Sequence, residues 1–309
     1  MKNLIGFLSV AFIGCTAFGG EWPQFMGPNR DHVSTETDWA APENGPNIVW
    51  RAKVGVGYSG ISVAGGKAIT LGHNGKAKTG GEETVWCFDA RSGELLWKKT
   101  YPARLIPTFH KGGPNAAPTI AGQTVYTLSK DGLLHALDTG SGDVRWFNDK
   151  LRKSVPTRWG FASAPRLEHG LLWLHANGPY GFSPQTGELV KHVDPESIKP
   201  GYSSTAFFTH GGNNLMAAMT GDAMVIYDTA EPKLILKHPF KIQYHLHAVT
   251  PLITEGPGGT RDIFISCANE GGRCEKLRFD GEKLTRLWGH TKMRNFMNNC
   301  VLVDGHLYG

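Results

Sequence analysis

The sequence lacks most of the short patterns that announce a chemistry. It has no paired C-x-x-C and no H-E-x-x-H, so ligand spacing points to no metal site. Gly55-Val-Gly57 and Gly211-Gly212 precede no helical pattern, and G-x-x-x-x-G-K-S/T is absent, which removes a phosphate loop. No serine stands in a nucleophile elbow. The net charge of +5 comes from scattered Lys and Arg with no basic run, so nucleic acid is not an indicated partner. Beyond the first twenty residues no stretch sustains an apolar stripe at helical spacing, which leaves an all-β reading.

What is there is a repeating grammar of short strands and tight turns, written most clearly at Lys130–Trp146, KDGLLHALDTGSGDVRW. Gln123–Leu128 is a β-branched and aromatic run, and Lys130-Asp131-Gly132 is a turn in which Gly132 takes positive φ. Leu133–Leu137 forms the next strand, Asp138–Gly142 turns again, and a third strand ends on Trp146. The same unit stands upstream at Thr84–Asp89 and Glu94–Trp97, and downstream at Tyr180–Phe182 and Glu188–Val190. Weaker copies occupy Ala223–Asp228 with Leu234–Leu236, and Glu275–Asp280 with Leu284–Trp288. Trp97, Trp146 and Trp288 recur at one repeat position and read as packing residues; Asp89, Asp138, Asp228 and Asp280 recur before turns, where Asp caps the backbone.

Each unit is introduced by a short apolar strand after small residues, beginning near Ser62, Ala117, Ala164, Ala206, Thr250 and Cys300. The spacing of roughly 45 to 50 residues is that of four-stranded propeller blades. Five units and the start of a sixth are predicted over residues 48–309, with the sequence stopping in mid-strand at Leu307-Tyr-Gly309, so the propeller is expected to be incomplete in this chain. Ile48–Ala52 is the candidate for an edge strand that completes a blade from the other terminus.

The unit "strand, Asp-Gly or its equivalent, strand ending in Asp, x-x-Ser/Thr-Gly, x-x-x-Trp" resembles the pyrroloquinoline-quinone-type (PQQ-type) propeller repeat. That repeat is shared by quinoprotein alcohol dehydrogenases and by the outer-membrane assembly lipoprotein BamB. Trp22–Arg30 and Arg158–Pro165 resemble a branch of small secreted bacterial proteins with the same repeat. The resemblance implies the fold; its implications for activity divide. The BamB-like side implies a binding or scaffold module for a protein, peptide or glycan of the cell envelope, with no cofactor. The alternative implied is a dehydrogenase oxidising an alcohol or sugar with PQQ and calcium, in which Trp159 stacks on the cofactor and Arg158 or His245 contacts quinone oxygens. The sequence departs from the enzyme pattern: it has no adjacent Cys-Cys pair, no C-x-x-C-H and no acidic residue near the axial ring to act as base.

Residues 1–20 read as a secretory leader: one Lys, an apolar Leu4–Ile13 and small residues before Gly19-Gly20, too short for a stable membrane span. A rival reading takes Phe12-Ile-Gly-Cys15 as a lipobox with Cys15 lipidated, the one route to membrane contact. Either places the protein outside the cytoplasm, in the periplasm or cell envelope. Residues 21–47, rich in Pro and Gly, read as an extended arm. Cys267 and Cys274 flank a hairpin loop and are candidates for a disulfide, or else a pair of half-buried thiols.

In a propeller the innermost strands line the axis, so residues just before them converge at one mouth. These are His110, Asn115, Arg158, Trp159, Tyr202, His245, His247, Arg294, Asn295, Asn298 and Asn299. They predict a polar and aromatic ring suited to an anionic or hydroxyl-rich ligand, or one that merely holds water.

Overall fold

The structure, a computed structural model, describes residues 20–309 except 38–42, 44, 78, 108–109, 155–156, 194–197 and 269–271. Residues 1–19 of the predicted leader, Cys15 among them, therefore lie outside the described residues. The first blade is β1 (Ser62–Ala64), β2 (Lys67–His73), β3 (Glu82–Asp89) and β4 (Leu95–Pro102). The second is β5 (Thr119–Ala121), β6 (Thr124–Leu128), β7 (Leu134–Asp138) and β8 (Val144–Asn148). The third is β9 (Arg166–Glu168), β10 (Leu171–His175), β11 (Pro179–Phe182) and β12 (Leu189–His192). The fourth comprises β13 (Ala206–His210), β14 (Asn213–Met219), β15 (Ala223–Asp228) and β16 (Lys233–Pro239), and the fifth β17 (Leu252–Glu255), β18 (Arg261–Cys267), β19 (Arg273–Phe279) and β20 (Leu284–His290). A two-stranded sheet follows, β21 (Val301–Val303) with β22 (His306–Tyr308). Every sheet is an antiparallel meander in sequence order, the arrangement that propeller spacing predicts.

The core lies between blades. Ile69, Leu71, Val85, Cys87 and Trp97 of the first blade pack with Val125, Leu133 and Leu137 of the second. Leu134, Ala136 and Trp146 pack in turn with Leu172, Leu174 and Phe182 of the third. Because a blade is covered on both faces, its middle strands read as near-continuous apolar runs: in β15, Met224 and Ile226 face the fifth blade while Val225 and Tyr227 face the other way.

One contact recurs at these interfaces. Trp97 lies on Gly142 of the following blade and donates its indole N–H to Thr139 O at 3.0 Å; Trp146 lies on Gly187 and donates to Pro184 O at 2.9 Å. Gly142 and Gly187 have φ of 76° and 73°, and a Cβ on either would stand 2.6 Å and 2.4 Å from the indole, so the turn glycine is required twice over. The preceding Asp or Ser builds the turn: Asp138 Oδ1 accepts the N–H groups of Gly140 and Ser141 at 2.8 and 3.0 Å, and Ser183 Oγ accepts that of Thr186 at 3.2 Å.

Strand register places Trp97, Trp146, Lys191, Leu236 and Trp288 at one position, opposite Cys87, Ala136, Gly181, Ile226 and Lys276 and beside a bulge each time. Lys191 substitutes for the indole by donating its ammonium to Thr229 O, at 3.0 Å, and to Ala230 O. Trp50 makes the same contact from outside the blades, over Gly93, with its N–H on Ala90 O at 3.1 Å. Ile48–Ala52 thus stands where an outermost strand stands, although the segment forms no ladder among the described residues. Within the arm, residues 25–30 form tight turns and do not run extended.

The cysteine pairing is corrected by register. Cys267 stands opposite Arg273 and Cys274 opposite Ser266, so the two are offset by one residue and point to opposite faces of the sheet. Cys267 enters the core shared with the fourth blade, whereas Cys274 packs with Phe264 and Cys300 on the other side. The two are not joined in a disulfide.

Gly142→Ala should therefore cost more than Gly122→Ala. Gly122 has φ of 57° with nothing within 4 Å of a Cβ, so it isolates the backbone penalty, about 1–2 kcal/mol. Urea midpoints should show Gly142→Ala to be worse by at least about 1 kcal/mol, on the scale of an overpacked contact. Equal losses would show that the indole contact is not what the glycine serves.

Candidate functional site

The loops that lead into the inner strands meet at one mouth of the axis and enclose a cavity of about 470 Å³. The backbone runs extended into each inner strand, so alternate side chains point the same way. The residue four positions before β1, β5, β9, β13, β17 and β21 lines the cavity every time: Tyr58, Asn115, Ala162, Tyr202, Ala248 and Met297. Two positions before the strand, Gly60, Ala117, Ala164 and Ser204 also face it, and their small size makes the space.

Aromatic rings from successive loops form the wall. Tyr58 and His110 stand 5.3 Å apart edge-on, His110 and Trp159 6.1 Å, and Trp159 and Tyr202 5.4 Å. Asn115 Nδ2 donates to Trp159 O at 3.3 Å and so ties two of these loops together. Leu246 and Phe296 complete the lining, and Tyr58 and Met297 are 58% and 63% exposed at the rim. No Asp, Glu, Lys or Arg is among the described lining residues.

The N-terminal arm crosses the axis beneath this cup. Trp22 exchanges backbone hydrogen bonds with Val63 at 2.7 and 2.9 Å, and Pro23 O accepts Ile120 N–H at 2.7 Å. Arg30 pairs with Glu168 at 3.0 Å and donates to Leu167 O, reaching the third blade. His32 Nε2 meets Asn299 Nδ2 at 2.9 Å, and burial lowers its pKa against a smaller upward pull from Asp31. Met26, Arg30 and His32 adopt φ of 70°, 59° and 64°, left-handed conformations that cost energy in non-glycine residues and persist because the blades fix them. The arm presents Phe25 to the cavity, so the cup ends on an aromatic ring.

Of the predicted residues, His110, Asn115, Trp159 and Tyr202 are brought together in the cup. Others are placed elsewhere. Arg158 is exposed and does not line the cavity; His245 is exposed with its Nδ1 on Gly221 O at 2.8 Å; Arg294 and Asn298 are exposed outside it. His247 is buried in the wall with Nε2 on Phe240 O at 2.6 Å, and Asn295 is buried behind the rim. Asn299 accepts Thr250 N–H at 2.8 Å and serves the loop, not the cavity. The expected polar ring is therefore an aromatic cup. Phe25, Tyr58, Leu246, Phe296 and Met297 were not singled out from the sequence, though the fixed offset before each inner strand would have found Tyr58 and Met297.

Ionisable groups lie behind the wall. Burial pushes Glu83 up to about 8, against hydrogen bonds from Lys130 N–H and Tyr101 O–H, each 3.2 Å. Burial brings Lys130 down to about 8, with Glu83 opposing, and its ammonium has no hydrogen-bond partner among the described residues. His110 is lowered by burial and then by the charge of Lys130, which favours a neutral ring in the cup.

A family profile named for PQQ-type repeats and described as "Outer membrane protein assembly factor BamB" matches residues 40–193. Residues 40–193 belong to the PQQ-type β-propeller repeat family. Among solved structures, this PQQ-type propeller resembles BamB from Moraxella catarrhalis, with a TM-score of 0.52 and 14% identity over 84% of each chain. It also resembles the quinohemoprotein alcohol dehydrogenase from Comamonas testosteroni, with a TM-score of 0.63 and 14% identity over 86% of this chain. A europium-containing methanol dehydrogenase aligns at 0.53 and 11% identity over 80% of this chain. The PQQ-type propeller spans 48% and 63% of those two enzymes. No curated protein sequence matches. Such likenesses establish the fold and leave activity to the site.

Glu83 generates a pH prediction. Its pKa is higher folded than unfolded, so the folded state binds more protons, and stability is lost as pH rises from about 4.5 to about 8. In Glu83→Gln that loss should shrink, so the change in urea midpoint between pH 5 and pH 8 should be smaller than in the wild type. An unchanged difference would mean that Glu83 does not titrate in this window.

Proposed function

We propose that this chain is an exported propeller that binds a protein or peptide partner by taking an apolar or aromatic side chain of that partner into the axial cup. The observation that carries the reading is the lining itself: a wall of rings and small residues with a few polar atoms and no charged side chain. Such a surface favours desolvation of apolar groups and stacking of rings. The name of the matched family, an outer-membrane assembly factor, supports a protein partner in the cell envelope. The leader-like residues 1–20 support export, and among the described residues no helix is long and apolar enough to cross a membrane.

The dehydrogenase alternative asks for a different donor set. PQQ is a tricarboxylate, and calcium takes six to eight oxygen ligands, carboxylates prominent among them. The cup offers amide, hydroxyl and imidazole groups but neither guanidinium nor carboxylate, and no group of three or more His, Cys, Asp or Glu converges anywhere among the described residues. Trp159 provides a stacking face, but no charged side chain is among the described residues that line the cup with it. The residues do not fit the group, and no reaction step is derived through it.

Panning a displayed peptide library on the folded protein should enrich sequences anchored by Trp, Phe, Leu or Met. Trp159→Ala should weaken the selected peptides at least about tenfold, or 1.4 kcal/mol, whereas Arg158→Ala should leave them nearly unchanged. Loss of binding in Arg158→Ala with retention in Trp159→Ala would refute the cup as the site.

A further inference from the structure

The loop at 291–300 carries Phe296 and Met297 into the cup, and its two ends are held to the fifth blade in different ways. Near its start, Ser266 Oγ accepts Asn295 N–H at 3.2 Å and donates to Met293 O at 3.4 Å. At its end, Cys300 enters a cluster of only three buried side chains with Phe264 and Cys274. Cys274 lies on β19, and Cys300 immediately precedes β21, so the pair bridges one blade and the start of the next. The thiols are 0% and 2% exposed. Burial pushes Cys300 up to about 11, and the charge of Cys274 adds to that rise, which sets the two sulfur atoms within electrostatic reach.

A proton acceptor stands beside them. Cys274 Sγ lies 3.2 Å from His290 Nδ1 and 3.4 Å from His290 O; because Nδ1 also accepts Lys292 N–H at 3.2 Å, it is the unprotonated nitrogen of the ring. Cys87 and Cys267 belong to other cores, Cys87 between the first and second blades and Cys267 between the fourth and fifth.

We infer that Cys274 and Cys300 form a reversible disulfide that pins the 291–300 loop, and with it the Phe296 and Met297 rim of the cup, to the fifth blade. The oxidant is a small disulfide such as oxidised glutathione. As the loop lifts, the Cys274 thiol gives its proton to His290, and its thiolate attacks the glutathione disulfide, forming a mixed disulfide and releasing one glutathione thiolate. The released glutathione thiolate takes the Cys300 proton; the Cys300 thiolate then attacks Cys274 Sγ, forming the protein disulfide and releasing the second glutathione thiolate, which takes the proton held by His290. Two protein thiols are oxidised and one disulfide is reduced to two thiols. The bridge rests on the sulfur cluster alone; its bearing on ligand capture rests on the reading of the cup, and the following experiment involves no ligand.

The full protein is incubated with oxidised glutathione, denatured, alkylated with iodoacetamide and digested without reduction. Mass spectrometry should find a linked peptide pair containing Cys274 and Cys300, with Cys87 and Cys267 alkylated. In the folded, oxidised protein, trypsin cleavage after Lys292 and Arg294, both exposed, should slow severalfold and recover on reduction. Alkylation of Cys274 and Cys300 to the same extent as Cys87 and Cys267 would overturn the pairing. A bridge that leaves the cleavage rate unchanged would overturn the pinning. Cys300→Ser supplies the control, in which the linked pair must vanish.

Discussion

The contact on which the architecture depends is an indole laid across a turn glycine of the next blade. It fixes the distance and rotation between sheets that share no hydrogen-bond ladder, and it ends in a hydrogen bond to a backbone carbonyl, so it is directional as well as apolar. The turn beneath needs a left-handed residue without a side chain, and the Asp or Ser before it holds that turn by accepting N–H groups. Trp97 on Gly142 and Trp146 on Gly187 repeat this geometry with nearly the same φ. Lys191 keeps the donor and gives up the ring. Where the pattern weakens further, at Leu236, the fourth and fifth blades are joined instead by a larger aliphatic and aromatic cluster that includes Phe208, Ile226, Phe240 and Phe279.

That recurrence is why so much of the fold was legible. Turn residues and terminal tryptophans are local signals that repeat with the blade, and they mark strands within a residue or two of where they lie: the run read as Gln123–Leu128 is β6, Thr124–Leu128. Trp50 belongs to the same series, and this is what gives Ile48–Ala52 its place. The cysteine pairing was beyond such reading because it turns on a single step of register between β18 and β19, hidden in a hairpin whose loop length does not determine which residues oppose. The turns in the arm were hidden for another reason: Met26, Arg30 and His32 take left-handed conformations in a segment whose backbone is held by the inner strands of the first two blades and whose Arg30 side chain is held by the third.

The site was legible in position and misread in character. Convergence of His110, Asn115, Trp159 and Tyr202 follows from topology, since every lead-in loop points at the axis. Which neighbour faces inward follows from the pleat, and Arg158, adjacent to Trp159, falls on the outside. Leaving Arg158 and Arg294 outside and bringing in Phe25, Tyr58 and Met297 changes the lining from the polar and aromatic ring expected to an aromatic, largely apolar cup. Glu83 and Lys130 remain behind the wall, where burial works against their charged forms.

The separation of binder from oxidoreductase is tested most directly by titrating the folded protein with PQQ in the presence of calcium, following cofactor absorbance and tryptophan fluorescence and then dye-linked oxidation of a panel of alcohols and sugars. An uncharged aromatic cup predicts no saturable cofactor binding and no turnover. Stoichiometric binding with calcium-dependent oxidation would contradict the account, because the charges of the cofactor would then be met by groups that the cup does not present.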